Sequence, residues 1–322
     1  MIDENSKPIP LIVILGPTAV GKTKLSLPLA ERFNGEIVSA DSRLFYRGLD
    51  IGTAKPSPEE QERVPHYLID VADPDQVWNL ALYLREAKKA IQDIVQRGKV
   101  PFLVGGTGQY IEALVEGWRI PSVKPHPALR EALRRWADEI GVPGMRKRLE
   151  VLDPEAAQRI DGPNLRRMVR ALEVIFLSGE KFSEQKGKGP TPYRVLKLGL
   201  TRPREELYQR IDARIHAMME AGFIEEVKAL LEKGYDPDLP PLSAIGYRQI
   251  IHYLQGTITL DEAIRQMKSR SHSYVRKQAN WFQKDDPGIR WFQVSERTLW
   301  EMEREISQFL EEICYTEDKS NS

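Results

Sequence analysis

The fold of this chain is decided by Gly16-Pro17-Thr18-Ala19-Val20-Gly21-Lys22-Thr23, which fits the pattern G-x-x-x-x-G-K-[ST] of a phosphate-binding loop. An apolar run of strand length precedes it at residues 10–15, and a helical pattern starts near Gly21. Glycines let backbone N–H groups converge on phosphate oxygens, and the helix N-terminus adds partial positive charge. Lys22 is expected to reach the terminal phosphates, and the Thr23 hydroxyl to ligate Mg²⁺. A glycine-rich turn without a ligand is the alternative, which the strand–loop–helix order disfavours.

Composition limits the class of protein. The chain has 322 residues, with 29% charged and 41% hydrophobic residues and a formal net charge of zero, which is typical of a soluble globular protein. A uniformly basic nucleic-acid binder is disfavoured, although local basic patches remain possible. With Cys314 as its one cysteine, the chain can form neither an internal disulfide nor a cysteine zinc site, which favours a cytoplasmic protein. We see no signal peptide, and no apolar run approaches the ~20 residues of a membrane span.

Strands alternate with helices in the first third of the chain, and one further strand follows much later. The predicted strands are residues 11–15, 36–40, 67–70, 100–104 and 195–200. This alternation predicts an α/β fold with a parallel sheet flanked by helices, whose ligands bind at the C-terminal strand ends. Gly16, Asp41 and Thr107 each follow such an end, so we expect them to meet in one crevice.

The middle of the chain has a different character. Residues 119–194 contain three early prolines, little strand signal and four helical patterns, so we predict an inserted, all-helical domain there. The catalytic core would then comprise residues 1–118 and 195–314. Residues 315–322 are predicted to be a disordered tail.

Two groups beyond the loop could carry chemistry. Asp41 could bind Mg²⁺ or act as a base, and a helix cap or solvated turn residue is the alternative. Gly105-Gly106-Thr107-Gly108 permits close backbone approach to a ligand, and a plain strand-to-helix turn is its alternative.

Arginines supply further candidates. Arg210 and Arg214 are four residues apart on a predicted helix and share a face, where they could neutralise a leaving phosphate, although most helical arginines are merely solvated. A stretch from Arg265 to Lys284 contains six basic residues and no acid, with Tyr274, Trp281 and Phe282 interleaved. Such a stretch could bind an RNA backbone and stack on unpaired bases, or it could be a solvated helix whose aromatics face the core.

Two patterns are missing from the sequence. Nucleotide-hydrolysing enzymes usually have an acidic residue that ends a second apolar strand and helps to hold Mg²⁺, whereas residues 102–104 run into glycines. The five histidines show no H-x-x-x-H or H-E-x-x-H spacing, so a catalytic zinc site is not expected.

Four segments together resemble the tRNA dimethylallyltransferase family, also called tRNA isopentenyltransferases, in its bacterial form. They are Gly16–Thr23, Asp41-Ser42-Arg43-Leu44-Phe45-Tyr46-Arg47-Gly48-Leu49-Asp50-Ile51-Gly52-Thr53-Ala54-Lys55-Pro56, Leu103–Gly108 and Ser243-Ala244-Ile245-Gly246-Tyr247-Arg248-Gln249. The resemblance covers residues 8–310, and the block from Asp41 to Pro56 is its most specific part.

The resemblance implies a reaction and its partners. A dimethylallyl group moves from dimethylallyl diphosphate to N6 of adenosine 37 in tRNA, and diphosphate leaves. The loop would hold a prenyl diphosphate in place of ATP, with Mg²⁺ as cofactor. The tRNA anticodon stem-loop would be gripped by the helical insertion, with no obligate protein partner and no membrane.

The resemblance also implies residue roles. Asp41, Arg214 and Thr18 would be catalytic, with Asp41 accepting a proton from the adenine amino group, and Thr23 would be the metal ligand. The diphosphate would be bound by Gly16, Pro17, Thr18, Ala19, Val20, Gly21, Lys22, Thr23 and Arg214. The residues expected to touch tRNA are Asp41, Ser42, Arg43, Leu44, Thr107, Arg130, Arg166, Arg167, Arg170, Ser243, Gly246, Tyr247, Arg248, Arg276 and Lys277.

One departure and two rival functions accompany this hypothesis. Arg43 and Leu44 stand where many relatives carry a different pair, so contacts by these side chains are less secure than that of Asp41. A nucleotide or small-molecule kinase would share the loop but use ATP. An RNA-binding ATPase switch would lack group transfer altogether.

Overall fold

The computed structural model describes residues 8–185, 187–279 and 281–320. The chain divides into two compact units. The helical unit is Glu116–Thr191, and the sheet unit takes in the chain up to Val115 and from Pro192 onward. The sequence predicted an insertion at residues 119–194, and both ends of the helical unit lie three residues earlier than those bounds.

Six parallel strands form the sheet of the sheet unit. They are β1 (Ile9–Leu15), β2 (Gly35–Ala40), β3 (His66–Tyr67), β4 (Val100–Gly105), β7 (Tyr193–Thr201) and β8 (Ile289–Gln293). Their order is β3-β2-β4-β1-β7-β8, and each neighbouring pair is parallel. The predicted α/β fold is confirmed. Because β2, β4, β1 and β7 are adjacent, the segments that leave their carboxyl ends lie side by side.

The central strands are buried on both faces, as a parallel sheet covered by helices requires. Every residue from Leu11 to Leu15 has zero exposure, and Phe102 of β4 and Leu198 of β7 are equally buried. Ile12 pairs with Phe102 on one side and with Leu196 on the other. This register brings the carboxyl ends of β1, β4 and β7 to one level.

The helices of the sheet unit connect and cover these strands. They are α1 (Lys22–Arg32), α2 (Pro58–Arg63), α3 (Leu80–Gln96), α4 (Gly108–Val115), α8 (Arg204–Glu220), α9 (Phe223–Glu232), α10 (Tyr247–Leu254), α11 (Leu260–Ala279) and α12 (Thr298–Ser320). Helix α12 extends through residues 315–320, for which the sequence predicted a disordered tail, and neither Gly nor Pro interrupts the sequence there. Residues 321 and 322 lie outside the described chain. Within the described part, the helices include none with the length and apolarity to cross a membrane.

The helical unit has its own apolar core. Its elements are α5 (Pro127–Leu152), α6 (Pro154–Arg159), α7 (Leu165–Ser178) and a short antiparallel pair, β5 (Trp118–Arg119) with β6 (Gly187–Lys188). The strand pair is an addition to the all-helical prediction. Gly141, at φ 70°, interrupts α5, which accounts for the two helical patterns seen there in the sequence. Met145, Leu149 and Leu172 are fully buried in the core between these helices.

Candidate active site

The phosphate loop (residues 16–23) connects the end of β1 to the first turn of α1. Gly16 has φ +151°, and a Cβ there would lie 2.7 Å from the Leu200 carbonyl oxygen, so a larger residue does not fit. Gly21 precedes α1 in the left-handed region, with φ 110°. The N-terminus of α1 therefore opens directly onto the loop, where its partial positive charge favours an anion.

Lys22 closes over this loop. Its Nζ donates to the carbonyl oxygens of Gly16 at 2.9 Å and Pro17 at 3.0 Å. Burial lowers the pKa of Lys22 to about 8, against the opposing charge of Asp41 and with a small contribution from Arg214. An anionic phosphate would offer the ammonium a stronger, charged acceptor than two neutral carbonyls. Lys22 is thus placed to bind an anion in the loop.

Asp41 and Thr107 follow the ends of β2 and β4, which are adjacent strands. The Asp41 carboxylate accepts from the backbone N–H of Arg43 at 3.0 Å. Thr107 accepts from the N–H of Ser42 at 3.3 Å through its hydroxyl, and its own N–H donates to Ala40 at 3.1 Å. These bonds join the glycine turn (residues 105–108) to the segment that carries Asp41.

One cavity of about 540 Å³ is lined by several of the candidate residues. Its polar lining includes Thr18, Lys22, Thr23, Asp41, Arg210 and Arg214, and its apolar lining includes Leu27, Ile37, Leu44, Ile69 and Val104. Asp41 thus faces the same space as the phosphate loop, whereas Gly16 and Thr107, which the sequence placed in the same crevice, are not part of this lining. Apolar walls beside a phosphate site suit a ligand that has both a charged and a hydrocarbon part.

The two arginines of α8 play different structural parts. Arg210 donates from Nε to the carbonyl oxygen of Ala19 at 2.7 Å, so it braces the phosphate loop. Arg214 lines the cavity, and burial, followed by the charge of Arg210, lowers its pKa. Asp212, on another face, accepts from or pairs with His272 at 2.9 Å. The face shared by Arg210 and Arg214 thus brings two positive charges to the phosphate side of the cavity.

The oxygen atoms around the phosphate loop suit a divalent cation only together with a ligand. Within residues 8–185, 187–279 and 281–320, no cluster of three His, Cys, Asp or Glu side chains could hold a metal ion. Mg²⁺ is commonly held by one or two protein oxygens together with substrate phosphates and water. The Thr23 hydroxyl and the Asp41 carboxylate line one cavity, so these residues fit a cation that arrives with a diphosphate.

The segment around residues 240–248 is mostly buried. Gly246 and Tyr247 are buried, and Tyr247 has zero exposure. Tyr247 packs inward, and its hydroxyl donates to Glu226 at 2.5 Å. The RNA contacts expected for Gly246 and Tyr247 stay predictions, which the burial of both residues does not favour. Ser243 is half-buried and Arg248 exposed.

Arg43 and Leu44, the pair that departs from the family pattern, face different surroundings. Arg43 donates to the carbonyl oxygens of Pro240 at 3.0 Å and Pro241 at 3.3 Å. Leu44 contributes to the apolar lining of the cavity. The Arg43 side chain thus ties the segment after Asp41 to the turn before α10.

In the helical unit, the four candidate arginines divide into two pairs. Arg130 forms a bidentate pair with the fully buried Glu173, at 2.8 and 2.9 Å. Arg170 donates to the same carboxylate at 2.6 Å and to the Val123 carbonyl at 2.8 Å. Arg166 and Arg167 are exposed on α7. Arg130 and Arg170 therefore stabilise the unit, whereas Arg166 and Arg167 present their charges to solvent.

The basic stretch from Arg265 to Lys284, most of which lies on α11, has both exposed and buried aromatic residues. Arg276 and Lys277 are exposed, and Tyr274 and Trp281 are 40% and 39% exposed. Phe282 is buried. Two aromatics and two cations are thus accessible on one segment, while one aromatic joins the core.

Three polar residues near the site were not singled out from the sequence. Lys55, 5% exposed at its side chain, pairs with the carboxylates of Asp50 and Asp70. Glu226 and Gln278 contact loops of the site and are described below. Lys55 belongs to the block from Asp41 to Pro56, whose family resemblance could have drawn attention to it. Glu226 and Gln278 are single polar residues on helices, and no sequence pattern distinguishes them.

Known proteins are similar to this chain over most of its length. A sequence profile described as IPP transferase matches residues 44–285. The chain is 53% identical over 276 residues to a tRNA dimethylallyltransferase of Roseiflexus sp. (strain RS-1), covering 86% of this chain and 90% of that protein. It is 46% identical over 296 residues to the tRNA dimethylallyltransferase of Thermomicrobium roseum, covering 92% and 90%.

Solved structures show the same similarity. The tRNA isopentenylpyrophosphate transferase from Bacillus halodurans superposes with a TM-score of 0.72 at 39% identity, covering 96% of this chain and 99% of that one. A eukaryotic dimethylallyltransferase acting on tRNA superposes with a TM-score of 0.77 at 29% identity, covering 94% and 78%.

Proposed function

The chain belongs to the IPP transferase family, and from that premise we propose that it transfers a dimethylallyl group from dimethylallyl diphosphate to N6 of adenosine 37 in tRNA. Diphosphate is the second product. The observation that carries the proposal is the single cavity of about 540 Å³ shared by the phosphate loop, Asp41, Arg214 and an apolar wall. A phosphate site, a base and a hydrocarbon surface in one space are what prenyl transfer to an amine needs.

The donor half of the site binds the prenyl diphosphate. The phosphate loop and Lys22 hold the diphosphate, and the aliphatic lining beside Leu44 and Val104 holds the five-carbon chain. Arg214 stabilises the negative charge that develops on the leaving group, because a cation in a partly buried site acts more strongly than one in water. Arg210 contributes by bracing Ala19.

The acceptor half places the adenine amine against Asp41. The N6 nitrogen forms a bond to C1 of the dimethylallyl group while the C1–O bond breaks. The electron pair of that bond leaves with the diphosphate, and one amine proton passes to the Asp41 carboxylate. The amine is conjugated to the purine and is a poor nucleophile, so a carboxylate fixed by the Arg43 N–H at 3.0 Å assists the attack.

Mg²⁺ is proposed as the cofactor, held by the Thr23 hydroxyl and the diphosphate oxygens. When bound, it would neutralise charge on the diphosphate. The protein's own cations, Lys22 and Arg214, act on the same group from the loop and from α8.

The tRNA anticodon stem-loop is the proposed RNA partner. The exposed cations Arg166 and Arg167 on α7, and Arg276 and Lys277 on α11, are candidates to bind phosphates. Tyr274 and Trp281 are candidates to stack on unpaired bases. Adenosine 37 must leave the loop stack to reach the cavity, at a cost of a few kcal/mol that is lowest in an unpaired loop.

The direct test incubates the protein with labelled dimethylallyl diphosphate, Mg²⁺ and unmodified tRNA carrying A36 and A37, followed by digestion to nucleosides. We expect N6-isopentenyladenosine, and none from a matched tRNA in which A37 is replaced by G. Absence of this product, together with ATP hydrolysis that needs no tRNA, would overturn the proposal and favour a kinase or an ATPase switch.

A further inference from the structure

The two halves of the site are carried by different loops, and one buried side chain bridges them. Gln278, on the last turns of α11, is 5% exposed. Its Oε1 accepts from the backbone N–H of Thr18 in the phosphate loop at 2.9 Å. Its Nε2 donates to the carbonyl oxygen of Gly106 in the glycine turn at 3.0 Å. The amide oxygen of Gln278 thus binds the phosphate loop, on the side of the prenyl diphosphate. Its amide nitrogen binds the glycine turn, on the side of the adenine amine.

The glycine turn is shaped to admit this bridge. A Cβ on Gly106 would lie 2.7 Å from Gln278 Nε2, and a Cβ on Gly108 would lie 2.6 Å from Trp281 Cβ. Either contact is far inside normal packing distance. The absence of side chains at these two positions is therefore what lets the end of α11 reach the turn, which explains the density of glycine there.

The bridge continues from the glycine turn to Asp41. Gly106 precedes Thr107, whose hydroxyl accepts from Ser42 N–H at 3.3 Å and whose N–H donates to Ala40 at 3.1 Å. Ala40 and Ser42 flank Asp41 on both sides. A shift of the glycine turn would therefore move the backbone that carries the Asp41 carboxylate.

We propose that Gln278 is a positioning residue that sets the distance between the diphosphate held at Thr18 and the amine held at Asp41. The inference rests on the proposed prenyl transfer. A displacement of about 1 Å between two reacting partners can lower a rate about 100-fold. Glutamine suits the role because its neutral side chain ends in one acceptor and one donor, and so it joins the loops without adding charge beside the phosphates.

The main test exploits Gln278→Glu. An ionised carboxylate cannot donate to the Gly106 carbonyl, whereas the protonated acid can accept from Thr18 and donate to Gly106 as the amide does. Burial favours the protonated acid and raises its pKa, whereas the Lys22 ammonium, which also lies beside Gly106, favours the carboxylate. We expect kcat to fall about 100-fold at about pH 8 and the ratio of variant to wild-type kcat to recover as the pH is lowered to about 5.5. Taking the ratio at each pH removes the titrations that the two proteins share.

Two further variants complete this test. Gln278→Met keeps the length and loses both hydrogen bonds, so its kcat should be low at every pH, with the KM for tRNA changed less than threefold. Gln92→Glu adds the same charge at an exposed position on α3, outside the candidate RNA-binding residues, and its kcat should equal that of the wild type. Wild-type kcat in Gln278→Met, or a pH-independent ratio in Gln278→Glu, would overturn the proposal.

A second measurement does not depend on transfer activity. Dimethylallyl diphosphate is added without tRNA, and hydrogen–deuterium exchange is followed in the phosphate loop and in the glycine turn. In the wild type, we expect protection of both segments; in Gln278→Met, protection should be confined to the phosphate loop. Protection of the glycine turn that survives in Gln278→Met contradicts the bridge even if the protein proves to catalyse another reaction. Loss of the coupled response with no prenyl transfer by the wild type would instead reject the proposed function.

Discussion

The hydroxyl of Tyr247 donates to the carboxylate of Glu226 at 2.5 Å, and the same carboxylate holds a loop of the active site. Glu226 accepts from three consecutive backbone N–H groups, those of Asp50 at 3.0 Å, Ile51 at 2.7 Å and Gly52 at 3.3 Å. Three of the four residues that follow, Thr53, Ala54 and Pro56, line the cavity. A carboxylate on α9 therefore fixes a cavity wall that belongs to a distant part of the sequence.

Glu226→Gln should loosen that wall. The amide nitrogen cannot accept a hydrogen bond, so at least one donor loses its partner, at a cost of about 1–3 kcal/mol. We expect kcat/KM for dimethylallyl diphosphate to fall about 10-fold and the Tm to drop. Glu232→Gln on the same helix is the control, because its exposed pair with Lys228 at 3.7 Å contributes little. Equal kinetic behaviour of the two variants would exclude a role for Glu226 in the site.

Asp41→Asn should separate chemistry from binding. The asparagine keeps the size of the side chain and can still accept from Arg43 N–H, but it is a very weak base. We expect single-turnover prenyl transfer to fall about 10²- to 10⁴-fold, the usual contribution of a general base, while tRNA binding measured by filter retention stays within a few-fold. Unchanged turnover would remove Asp41 from the mechanism.

Lys22 should take up a proton when the donor binds. Burial lowers its pKa from 10.5 to about 8 in the free protein, so the side chain loses its proton more readily than an exposed lysine does. An anion favours the ammonium form and raises the pKa again. Above pH 8, dimethylallyl diphosphate should therefore bind more weakly with each step in pH and should draw protons from the buffer. Calorimetry in two buffers of different ionisation enthalpy measures this uptake, and Lys22→Arg, which stays charged, should not show it.

The arginines of the helical unit should give two distinct phenotypes. Arg166→Ala with Arg167→Ala should weaken tRNA binding and lower the salt dependence of log K by about 1 per arginine lost, with no loss of stability. Arg130→Ala leaves the buried Glu173 short of its bidentate partner and should destabilise the protein by about 3 kcal/mol. Urea unfolding and a salt titration of tRNA affinity distinguish them. A stable Arg130→Ala protein with weak tRNA binding would instead support the predicted contact of Arg130 with RNA.

Glu36 should make the sheet unit sensitive to acid. Hydrogen bonds from Arg97 are the main cause, and with Lys99 and Tyr67 they outweigh burial and lower the pKa of this buried carboxylate from 4.5 to about 2. Because the folded pKa is depressed, its contribution is complete above about pH 4.5 and is lost as the pH falls through 2. Glu36→Gln should cost about 3 kcal/mol at pH 7 and progressively less below pH 4.5. Glu31→Gln, which breaks an exposed pair with Arg63, is the control and should change little.

The sequence predicts those parts of the fold that depend on local pattern. The phosphate loop, the buried strands and the strand-end location of Asp41 follow from glycine spacing and apolar runs, and the structure has them at those positions. Strand β8 was not predicted: Ile289–Gln293 is a short segment with polar residues at Arg290 and Gln293, and its strand form depends on pairing with β7, which is a tertiary interaction.

Within the site, the sequence identifies charged groups and leaves out the residues that hold them. Gln278 is 172 residues from Gly106 and 260 from Thr18, so no local pattern connects them. Tyr247 illustrates a further limit, since the segment that contains it resembles one that touches tRNA while the side chain itself is fully buried. Whether a polar side chain faces solvent or a carboxylate inside the protein is decided by packing, which a motif does not encode.

The pairing of β1 with β7 has a consequence for biosynthesis. Residues 9–15 lie beside residues 193–199, and Gly16 rests against Leu200. The phosphate loop therefore leaves the ribosome early. The whole helical unit must be synthesised before β7, the strand that pairs with β1, leaves the ribosome. The helical unit has an apolar core of its own and can fold during that interval. We expect the amino-terminal third to wait, incompletely paired, until synthesis has passed Thr201.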